Sequence, residues 1–301
     1  MTDRRRAPAA PGSAVLRERV LRWYAENARP LPWRDRSCTP WGVLVSEVMS
    51  HQTPVARVEP VWREWMSRWP APADLAAESP GEVVRAWGRL GYPRRALRLR
   101  EAAVAIVERH GGTVPGDEDA LRALPGVGAY TAAAVAAFAF GRRSIVVDTN
   151  VRRVLVRVVE GREHAAPALT AAESALAASL VPDDATISAT WNVAVMELGA
   201  LVCQARAPRC EQCPVLDLCA WVAAGRPAHE GPPRRGQAWH GTDRQVRGAV
   251  LQLLRQSSEP VARASLESAG PDPAQVERCI GSLVEDGLVE PAGHGRFRLP
   301  L

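Results

Sequence analysis

The feature that most constrains this 301-residue chain is a short segment that holds four of its six cysteines. A disulfide framework is disfavoured, because a chain of this length can bury a core without covalent staples. A zinc site usually adds histidines or a second C-x2-C pair, and no histidine lies between residues 165 and 228. Four thiolates alone favour an iron–sulfur cluster, with zinc or an empty site as the alternatives. The spacing is Cys203-x6-Cys210-x2-Cys213-x5-Cys219, and Cys38 and Cys279 are predicted to be ordinary thiols outside it.

Arginine supplies every one of the 38 Lys and Arg residues, and the formal net charge is +5. The absence of lysine excludes Schiff-base and Walker-A chemistry. Six arginines and no acid occupy residues 85–100, which favours contact with phosphates. Residues 240–301 carry seven arginines against eight acidic residues. Neither a signal peptide nor an apolar stretch of roughly 18–20 residues is recognised, so we expect a cytoplasmic protein without a membrane partner.

Hydrophobic periodicity predicts that residues 1–222 form an all-α domain. Apolar residues recur there at three- and four-residue spacing, and period-two alternation is almost absent. Residues 223–239 are rich in Gly, Pro and charge, which predicts a linker. Residues 240–301 are predicted to form a small winged-helix-like domain. Its predicted helices are 243–256, 261–268 and 272–286, followed by a two-stranded hairpin around residues 293–295.

A tight turn separates two predicted helices in the middle of the helical domain. Its sequence is Leu124-Pro125-Gly126-Val127-Gly128, and an alanine-rich helix follows. Gly126 and Gly128 would let the backbone approach a phosphate beside the amides that open this helix. An ordinary Pro-Gly turn is the alternative.

Two carboxylates, Glu47 and Asp148, are candidates for catalytic work. Glu47 lies in the otherwise apolar segment 43–49. Burial there would raise its pKa and make it a proton donor near neutral pH, and an exposed helix acid is the alternative. Asp148 follows an apolar run and precedes a predicted helix, so it could be an N-cap, a fixed negative charge, or both. A reaction that protonates a leaving group and creates a sugar cation needs one group of each kind.

Several sequence blocks between about residues 25 and 220 resemble the MutY-type adenine DNA glycosylases of the endonuclease III superfamily. The cysteine spacing resembles the 4Fe–4S loop of that superfamily, and the tight turn resembles the hairpin of its helix–hairpin–helix motif. The other blocks occur in the same order and spacing as in MutY-type proteins: Leu31-Pro32-Trp33-Arg34, Ser46-Glu47-Val48-Met49-x-x-Gln52-Thr53, Gly88-x-Leu90-Gly91-Tyr92, Val147-Asp148-x-Asn150-Val151-x-Arg153-Val154 and Glu197-Leu198-Gly199-Ala200.

The resemblance implies a helix–hairpin–helix DNA glycosylase fold with a 4Fe–4S cluster on the four clustered cysteines. A six-helix barrel is expected at about residues 30–147, and the N-terminal helix with residues 148–222 is expected to form the iron–sulfur module. The implied activity is monofunctional removal of adenine in base excision repair. The implied partner is double-stranded DNA with adenine opposite 8-oxoguanine or guanine, bound by a nucleoid-associated monomer.

The resemblance also assigns roles to individual residues. Glu47 would protonate N7 of adenine and then activate or position the hydrolytic water, while Asp148 would stabilise the sugar cation or bond to it covalently. Tyr130 stands where bifunctional relatives have a lyase lysine, which is typical of monofunctional glycosylases. Tyr130 and Asn150 would hold the catalytic pair. The implied base pocket is Trp33, Arg34 and Glu197, and the implied DNA contacts are His51, Gln52, Tyr92, Gly126 and Gly128. Core packing is the alternative for Trp33 and Tyr92.

Three departures from the MutY pattern stand out. Ser50-His51 replaces the more frequent Leu-Gln, and Thr149 replaces a more frequent Gly. Residues 240–301 resemble the short tail of actinobacterial MutY-type proteins, and the Nudix-like domain that reads 8-oxoguanine elsewhere is missing. A thymine or uracil mismatch glycosylase is the first alternative function, and Glu47 together with Glu197 disfavours it. A catalytically inactive DNA-binding or redox-sensing protein is the second, disfavoured by the presence of both carboxylates.

Overall fold

The computed structural model describes residues 13–229, 231 and 239–301. Residues 230 and 232–238, which make up half of the predicted linker, lie outside this described part. Three short strands accompany the helices: β1 (Val261–Ala262), β2 (Glu290–Pro291) and β3 (Arg296–Arg298). The helices are α1 (Ser13–Asn27), α2 (Pro40–Ser50), α3 (Val55–Arg68), α4 (Pro72–Ala77), α5 (Pro80–Trp87), α6 (Arg94–His110), α7 (Glu118–Arg122), α8 (Ala129–Phe140), α9 (Thr149–Val158), α10 (Ala171–Leu180), α11 (Ala185–Leu201), α12 (Ala220–Ala223), α13 (Asp243–Arg255), α14 (Arg263–Leu266) and α15 (Pro273–Glu285).

Local sequence signals account for where several helices begin and end. Ser79 accepts a hydrogen bond from the Glu82 amide at the start of α5, and Pro80 occupies the first helical position. Thr170 and Glu173 form a capping box at the start of α10. Helix α6 ends at Gly111, whose φ of 59° is one that glycine adopts without steric cost.

The chain divides into two compact units, each built from discontinuous segments. Of the described residues, the first unit comprises 13–43, 116–119, 128–229 and 231, and it contains helices α1 and α8 to α12. Helix α11 packs against α1, α8 and α9. The core of the first unit includes the fully or almost fully buried side chains of Val154, Trp191, Leu198 and Val215.

Of the described residues, the second unit comprises 44–115, 120–127 and 239–301. Helix α6 packs against α4 and α5 in this unit. Three tryptophans fill its interior: the ring of Trp65 meets Trp69 edge-on at 4.8 Å and Trp87 at 5.5 Å. The unit therefore combines residues of the predicted barrel with the predicted C-terminal domain.

Residues 240–301 contain three helices and a three-stranded antiparallel sheet in the order β1-β3-β2. The predicted helix at 261–268 is wrong at its start, because Val261 pairs with Phe297 and Ala262 with Arg296 as strand β1. The rest of that segment forms α14 and a 3-10 turn at Glu267–Ala269. The core of this region includes Val84 of α5, which is fully buried among Val250, Leu254 and their neighbours.

None of the described helices combines the length and the hydropathy that a membrane crossing requires.

Candidate active site

Glu47 lies on α2, whose residues 41–49 are all buried. Its side chain is 9% exposed, and the neighbouring Ser46 is fully buried. A carboxyl group in such a helix is shielded from water and is held among apolar neighbours such as Leu44 and Met49. The structure therefore places Glu47 in the environment that the sequence predicted, within the second unit.

Asp148 is the N-cap of α9, in the first unit. One carboxylate oxygen accepts the Val151 amide at 2.6 Å, and the other accepts the Asn150 side-chain amide at 2.7 Å. Burial raises the pKa of Asp148, although the hydrogen bonds and the charge of Arg153 act in the opposite direction. The cap fixes the position of the carboxylate, and neutral donors leave most of its charge uncompensated.

Arg153 connects this carboxylate to the cysteine segment. Its guanidinium donates to the Asn150 side-chain oxygen at 2.7 Å, to the Gly199 carbonyl at 2.7 Å and to the Cys203 carbonyl at 2.6 Å. A continuous chain of hydrogen bonds thus runs from Asp148 through Asn150 to the first cysteine. Gly199 permits this approach, because a Cβ there would lie 2.7 Å from the Asn150 Cβ. The sequence motif contains Arg153, but we assigned it no role from sequence.

Tyr130 and the predicted hairpin lie at the start of α8. Tyr130 is the second residue of that helix, half-buried, and packs against the alanine-rich cluster around Ala133 and Val146. In the turn before it, the Val127 amide donates to the Leu124 carbonyl at 3.2 Å. Gly126 has a φ of 75°, and a Cβ there would lie 2.7 Å from the Arg98 Cβ. Gly128 is exposed and is the N-cap of α8, so its backbone is accessible to a phosphate.

Glu197 is fully buried on α11 and binds two arginines. Arg29 donates to both of its oxygens, at 2.7 and 2.6 Å, and Arg34 donates at 2.9 Å. Burial raises the pKa of Glu197, but the two guanidinium groups outweigh that effect and hold its pKa at about 2. Trp33 and Arg34 lie in a 3-10 turn at Pro32–Arg34, and both are half-buried. Arg29, which has no place in the quoted motif, was missed from sequence.

Gln52 and Tyr92 are both exposed and both have positive φ, at 55° and 49°. Such values are costly for residues other than glycine and persist only where surrounding contacts impose them. Arg95 supplies those contacts: it donates to the carbonyls of Val48 and His51, at 2.8 and 2.6 Å, and to the Gly91 carbonyl at 3.0 Å.

Arg95 therefore holds two loops of the second unit together. It also donates to the Thr53 hydroxyl at 3.1 Å, and that hydroxyl donates to the Leu90 carbonyl at 3.0 Å. Burial lowers the pKa of Arg95 to about 10, which still leaves it charged at neutral pH. Its position among six clustered arginines gave no signal in the sequence. Three of the six are half-buried and three are exposed, and the sequence does not distinguish them.

His51 is half-buried between these loops. Burial lowers its pKa, and the neighbouring charge of Arg95 lowers it further. His51 is therefore neutral at neutral pH and adds no charge to the predicted DNA-binding surface.

The four clustered cysteines line one cavity of the first unit, together with Arg157, Leu198 and Trp221. Arg157 is buried, lies 4.7 Å from the Trp221 ring and approaches the Cys203 sulfur at 3.5 Å. Burial, together with the other three cysteines, raises the pKa of the Cys213 thiol to about 11, and a backbone hydrogen bond acts in the opposite direction. Across residues 13–229, 231 and 239–301, no three His, Cys, Asp or Glu side chains are grouped as ligands of a single metal ion.

This cavity fits the predicted iron–sulfur cluster. Its donor set is four thiols and no histidine, and an arginine beside them favours the thiolate form that a cluster requires. The loop that carries the thiols runs over two short 3-10 turns, Cys210–Gln212 and Leu216–Leu218, and leads into α12.

The structure brings several predicted residues together within each unit. Asp148 contacts Asn150, Glu197 contacts Arg34, and the loops of His51, Gln52 and Tyr92 share Arg95. Glu47 belongs to the second unit and Asp148 to the first, so their cooperation remains a prediction.

Comparison with known proteins identifies the family. The model of HhH-GPD superfamily base excision DNA repair proteins matches residues 45–177, and that of the iron–sulfur binding domain of endonuclease III matches residues 203–219. The chain is 52% identical over 282 residues to the adenine DNA glycosylase of Mycobacterium tuberculosis, covering 93% of this chain and 92% of that protein. It is 36% identical over 203 residues to the thymine/uracil-DNA glycosylase of Pyrobaculum aerophilum, covering 66% of this chain and 88% of that protein.

Among solved structures, that of a thermostable thymine-DNA glycosylase matches with a TM-score of 0.63 and 28% identity, covering 70% of this chain and 97% of that chain. The predictions of a helix–hairpin–helix glycosylase fold and of an iron–sulfur cluster are confirmed by these matches. The chain belongs to the adenine DNA glycosylase family, within the HhH-GPD superfamily of base excision DNA repair proteins.

Proposed function

We propose that this chain hydrolyses the N-glycosidic bond of adenine in double-stranded DNA where the adenine is mispaired with 8-oxoguanine or guanine. The observation that carries the proposal is the Asp148 carboxylate, fixed by the Val151 amide and Asn150, in a chain of the adenine DNA glycosylase family. Such a substrate places the protein at the nucleoid, in the cytoplasm.

Glu47 is the proposed proton donor. Adenine is a poor leaving group until it is protonated, and a proton on N7 withdraws electrons from the ring that also contains N9, which weakens the bond between N9 and the sugar. The burial of Glu47 on α2 supports this role, because a shielded carboxyl group keeps its proton more readily. After the base departs, the same group would position the water that attacks the sugar carbon.

Asp148 is the proposed stabiliser of the sugar cation. Positive charge develops on the sugar as the bond breaks, and a preorganised carboxylate lowers the energy of that state. Its hydrogen bonds to the Val151 amide and to Asn150 prevent the carboxylate from reorienting during the reaction. The group must be ionised to act, so protonation of Asp148 would stop catalysis.

Tyr130 supports the proposal that the strand is left intact. A lyase step needs an amine that attacks the sugar, and the chain contains no lysine. We infer that the product is an abasic site, cleaved only on later treatment with alkali or heat.

Recognition is assigned to two groups of residues. Trp33 and Arg34, the latter oriented by Glu197, are proposed to contact the extruded adenine. Gln52 and Tyr92 are proposed to enter the duplex as the base leaves the stack. Arg95 fixes their loops in advance, which lowers the entropic cost of binding. The cluster on the four cysteines would tie the 203–219 loop into the first unit.

The test is a panel of duplexes containing A·8-oxoguanine, A·G or T·G, incubated with the purified protein. We expect free adenine from the first two and strand breaks only after alkali. Glu47→Gln is the matched control, and it should lose about 10²–10⁴-fold in excision while still binding A·8-oxoguanine DNA. Release of thymine from T·G without release of adenine would favour the mismatch thymine/uracil activity instead, and direct nicking would contradict the assignment to Tyr130.

A further inference from the structure

The C-terminal region is an integral part of the second unit. Helix α13 runs along the segment between α5 and α6: Arg255 near its end donates to the Val84 carbonyl at 3.0 Å, and Gln252 accepts a hydrogen bond from Arg89. The last residues of the C-terminal region also lie against α5. A Cβ on Gly81 of α5 would lie 2.3 Å from the Pro300 carbonyl oxygen. The position of α13 relative to this segment is therefore fixed by packing.

The first turn of α13 places Arg244 over Tyr92. Its guanidinium carbon lies 4.8 Å from the centre of the Tyr92 ring and 5.7 Å from that of Trp239. Both rings are exposed, Tyr92 at 40% and Trp239 at 50%. A planar cation between two exposed aromatic rings holds their faces apart and limits the rotation of each.

The surface beside Tyr92 is basic. Arg57 of α3 and Arg89 of the segment after α5 are both exposed, and Arg57 donates to the Arg89 carbonyl, which holds α3 against that segment. Exposed aromatic rings next to arginines match the chemistry of a DNA strand, in which bases stack on rings and phosphates bind guanidinium groups. The remaining arginines of the C-terminal region serve other contacts, such as the pairs of Arg247 with Asp286 and of Arg278 with Asp243.

We propose that Arg244 binds a DNA phosphate next to the extruded nucleotide and at the same time positions Tyr92, so that the C-terminal region forms part of the DNA-binding surface. The proposal rests on the proposed function, because it takes duplex DNA as the partner of this surface. It also explains how a region of almost neutral net charge can contribute to DNA binding: Arg244 lies beside the exposed Tyr92 ring, whereas Arg247 and Arg278 pair with acidic residues away from it.

The test measures binding of a labelled duplex that contains a tetrahydrofuran abasic-site analogue, by fluorescence anisotropy over a series of salt concentrations. The variants are Arg244→Gln and Arg244→Glu in the full-length protein. Arg263→Gln is the matched control, because Arg263 is exposed, lies 5.5 Å from the Phe297 ring and pairs with Glu277 in the same region. Thermal unfolding of each variant checks that the fold is retained.

We expect Arg244→Gln to weaken binding roughly five- to tenfold at low salt and to reduce the slope of log K against log salt by about one. Arg244→Glu should weaken binding further, and Arg263→Gln should match the wild type. Wild-type affinity and slope in Arg244→Gln would overturn the proposal, as would an equal loss in Arg263→Gln. Weaker binding with an unchanged slope would overturn the phosphate contact and leave Arg244 as a support for Tyr92 alone.

This duplex contains no target adenine, so the binding result stands whether or not the wild-type protein excises adenine. Failure of adenine excision in the substrate panel would contradict the proposed function, whereas failure here would contradict only the role of Arg244.

Discussion

Two carboxylates of the first unit, Glu197 and Asp148, occupy opposite electrostatic environments. Glu197 is fully buried and accepts hydrogen bonds from the guanidinium groups of Arg29 and Arg34, which hold its pKa at about 2. Asp148 accepts hydrogen bonds from a backbone amide and from the Asn150 amide, and burial raises its pKa. Arg153 donates to the Asn150 side-chain oxygen, and its charge also acts to lower the pKa of Asp148 without outweighing burial.

The difference indicates which carboxylate can react. A carboxylate that is already neutralised by two cations has little charge left for a developing sugar cation, and it serves to orient its arginines. A carboxylate fixed by neutral donors is equally well positioned, yet it keeps its charge available. The contrast therefore supports the proposed electrostatic role of Asp148 and favours a positioning role for Glu197.

The largest expected effect comes from removing the charge of Asp148. Asp148→Asn should lower the single-turnover rate of adenine excision by at least about 10²–10³-fold, because an amide cannot compensate positive charge on the sugar. The asparagine oxygen can still accept the Val151 amide, but its NH2 replaces the acceptor of the Asn150 amide, so we expect a loss of about 1–2 kcal/mol in unfolding free energy that leaves the protein folded. A near-wild-type rate would assign the stabilising charge to another group.

The second effect concerns stability. Glu197→Gln removes the carboxylate that Arg29 and Arg34 share, and both of these side chains are half-buried. Leaving them without a counter-charge costs roughly 1–3 kcal/mol in the free energy of unfolding, less than breaking a fully buried pair. The depressed pKa implies that the wild type gains this stability above the unfolded pKa of a glutamate and loses it as pH falls towards about 2. Urea unfolding at neutral pH and at pH 3 measures both effects.

A matched control for this variant is Glu18→Gln, which breaks the exposed pair of Glu18 with Arg22. Its unfolding midpoint should barely change, because exposed ion pairs contribute little. Equal midpoints for the two variants would contradict the role assigned to Glu197.

The sequence predicted most of the fold and the local surroundings of the two candidate catalytic carboxylates, because these depend on local patterns. Apolar spacing gave the helices, and the positions of Glu47 and Asp148 followed from the motifs that contain them. The burial of Glu47 and the cap formed by Asp148 were both expected from neighbouring residues. Strand β1 was missed because two residues pair with a strand that lies far along the chain.

The arginines that organise the site could not be predicted. Arg29, Arg95 and Arg153 each act through contacts with residues distant in sequence, and a chain with 38 basic residues offers no local sign that distinguishes them. The placement of Arg244 over Tyr92 also depends on how α13 packs, which no sequence pattern specifies.

A comparable effect is expected at Gly199, which lies two residues after Glu197 on α11 and touches Asn150 of the Asp148 region. Gly199→Ala would place a Cβ 2.9 Å from the Asn150 carbonyl oxygen, so α9 must shift. We expect a loss of about 1–3 kcal/mol in unfolding free energy and a slower excision rate. Gly248→Ala is the matched control, because nothing lies within 4 Å of a Cβ there. An unchanged excision rate in Gly199→Ala would show that the contact between α11 near Glu197 and Asn150 near Asp148 does not affect catalysis.

The smallest effect is a shift of the pH profile without a large loss at its optimum. Asp148 must be ionised to act, so excision should fall as pH drops through its raised pKa, above the range of an ordinary aspartate. The Asn150 amide stabilises the ionised form, and Asn150→Ala should therefore raise the pKa further and move the acid limb of the single-turnover rate to higher pH. Asn27→Ala, which removes an exposed side-chain hydrogen bond to the Trp23 carbonyl, should leave the limb in place. A limb that stays fixed or moves to lower pH in Asn150→Ala would mean that Asp148 does not control the acid side of the reaction, and the contrast with Glu197 would then lose its catalytic meaning.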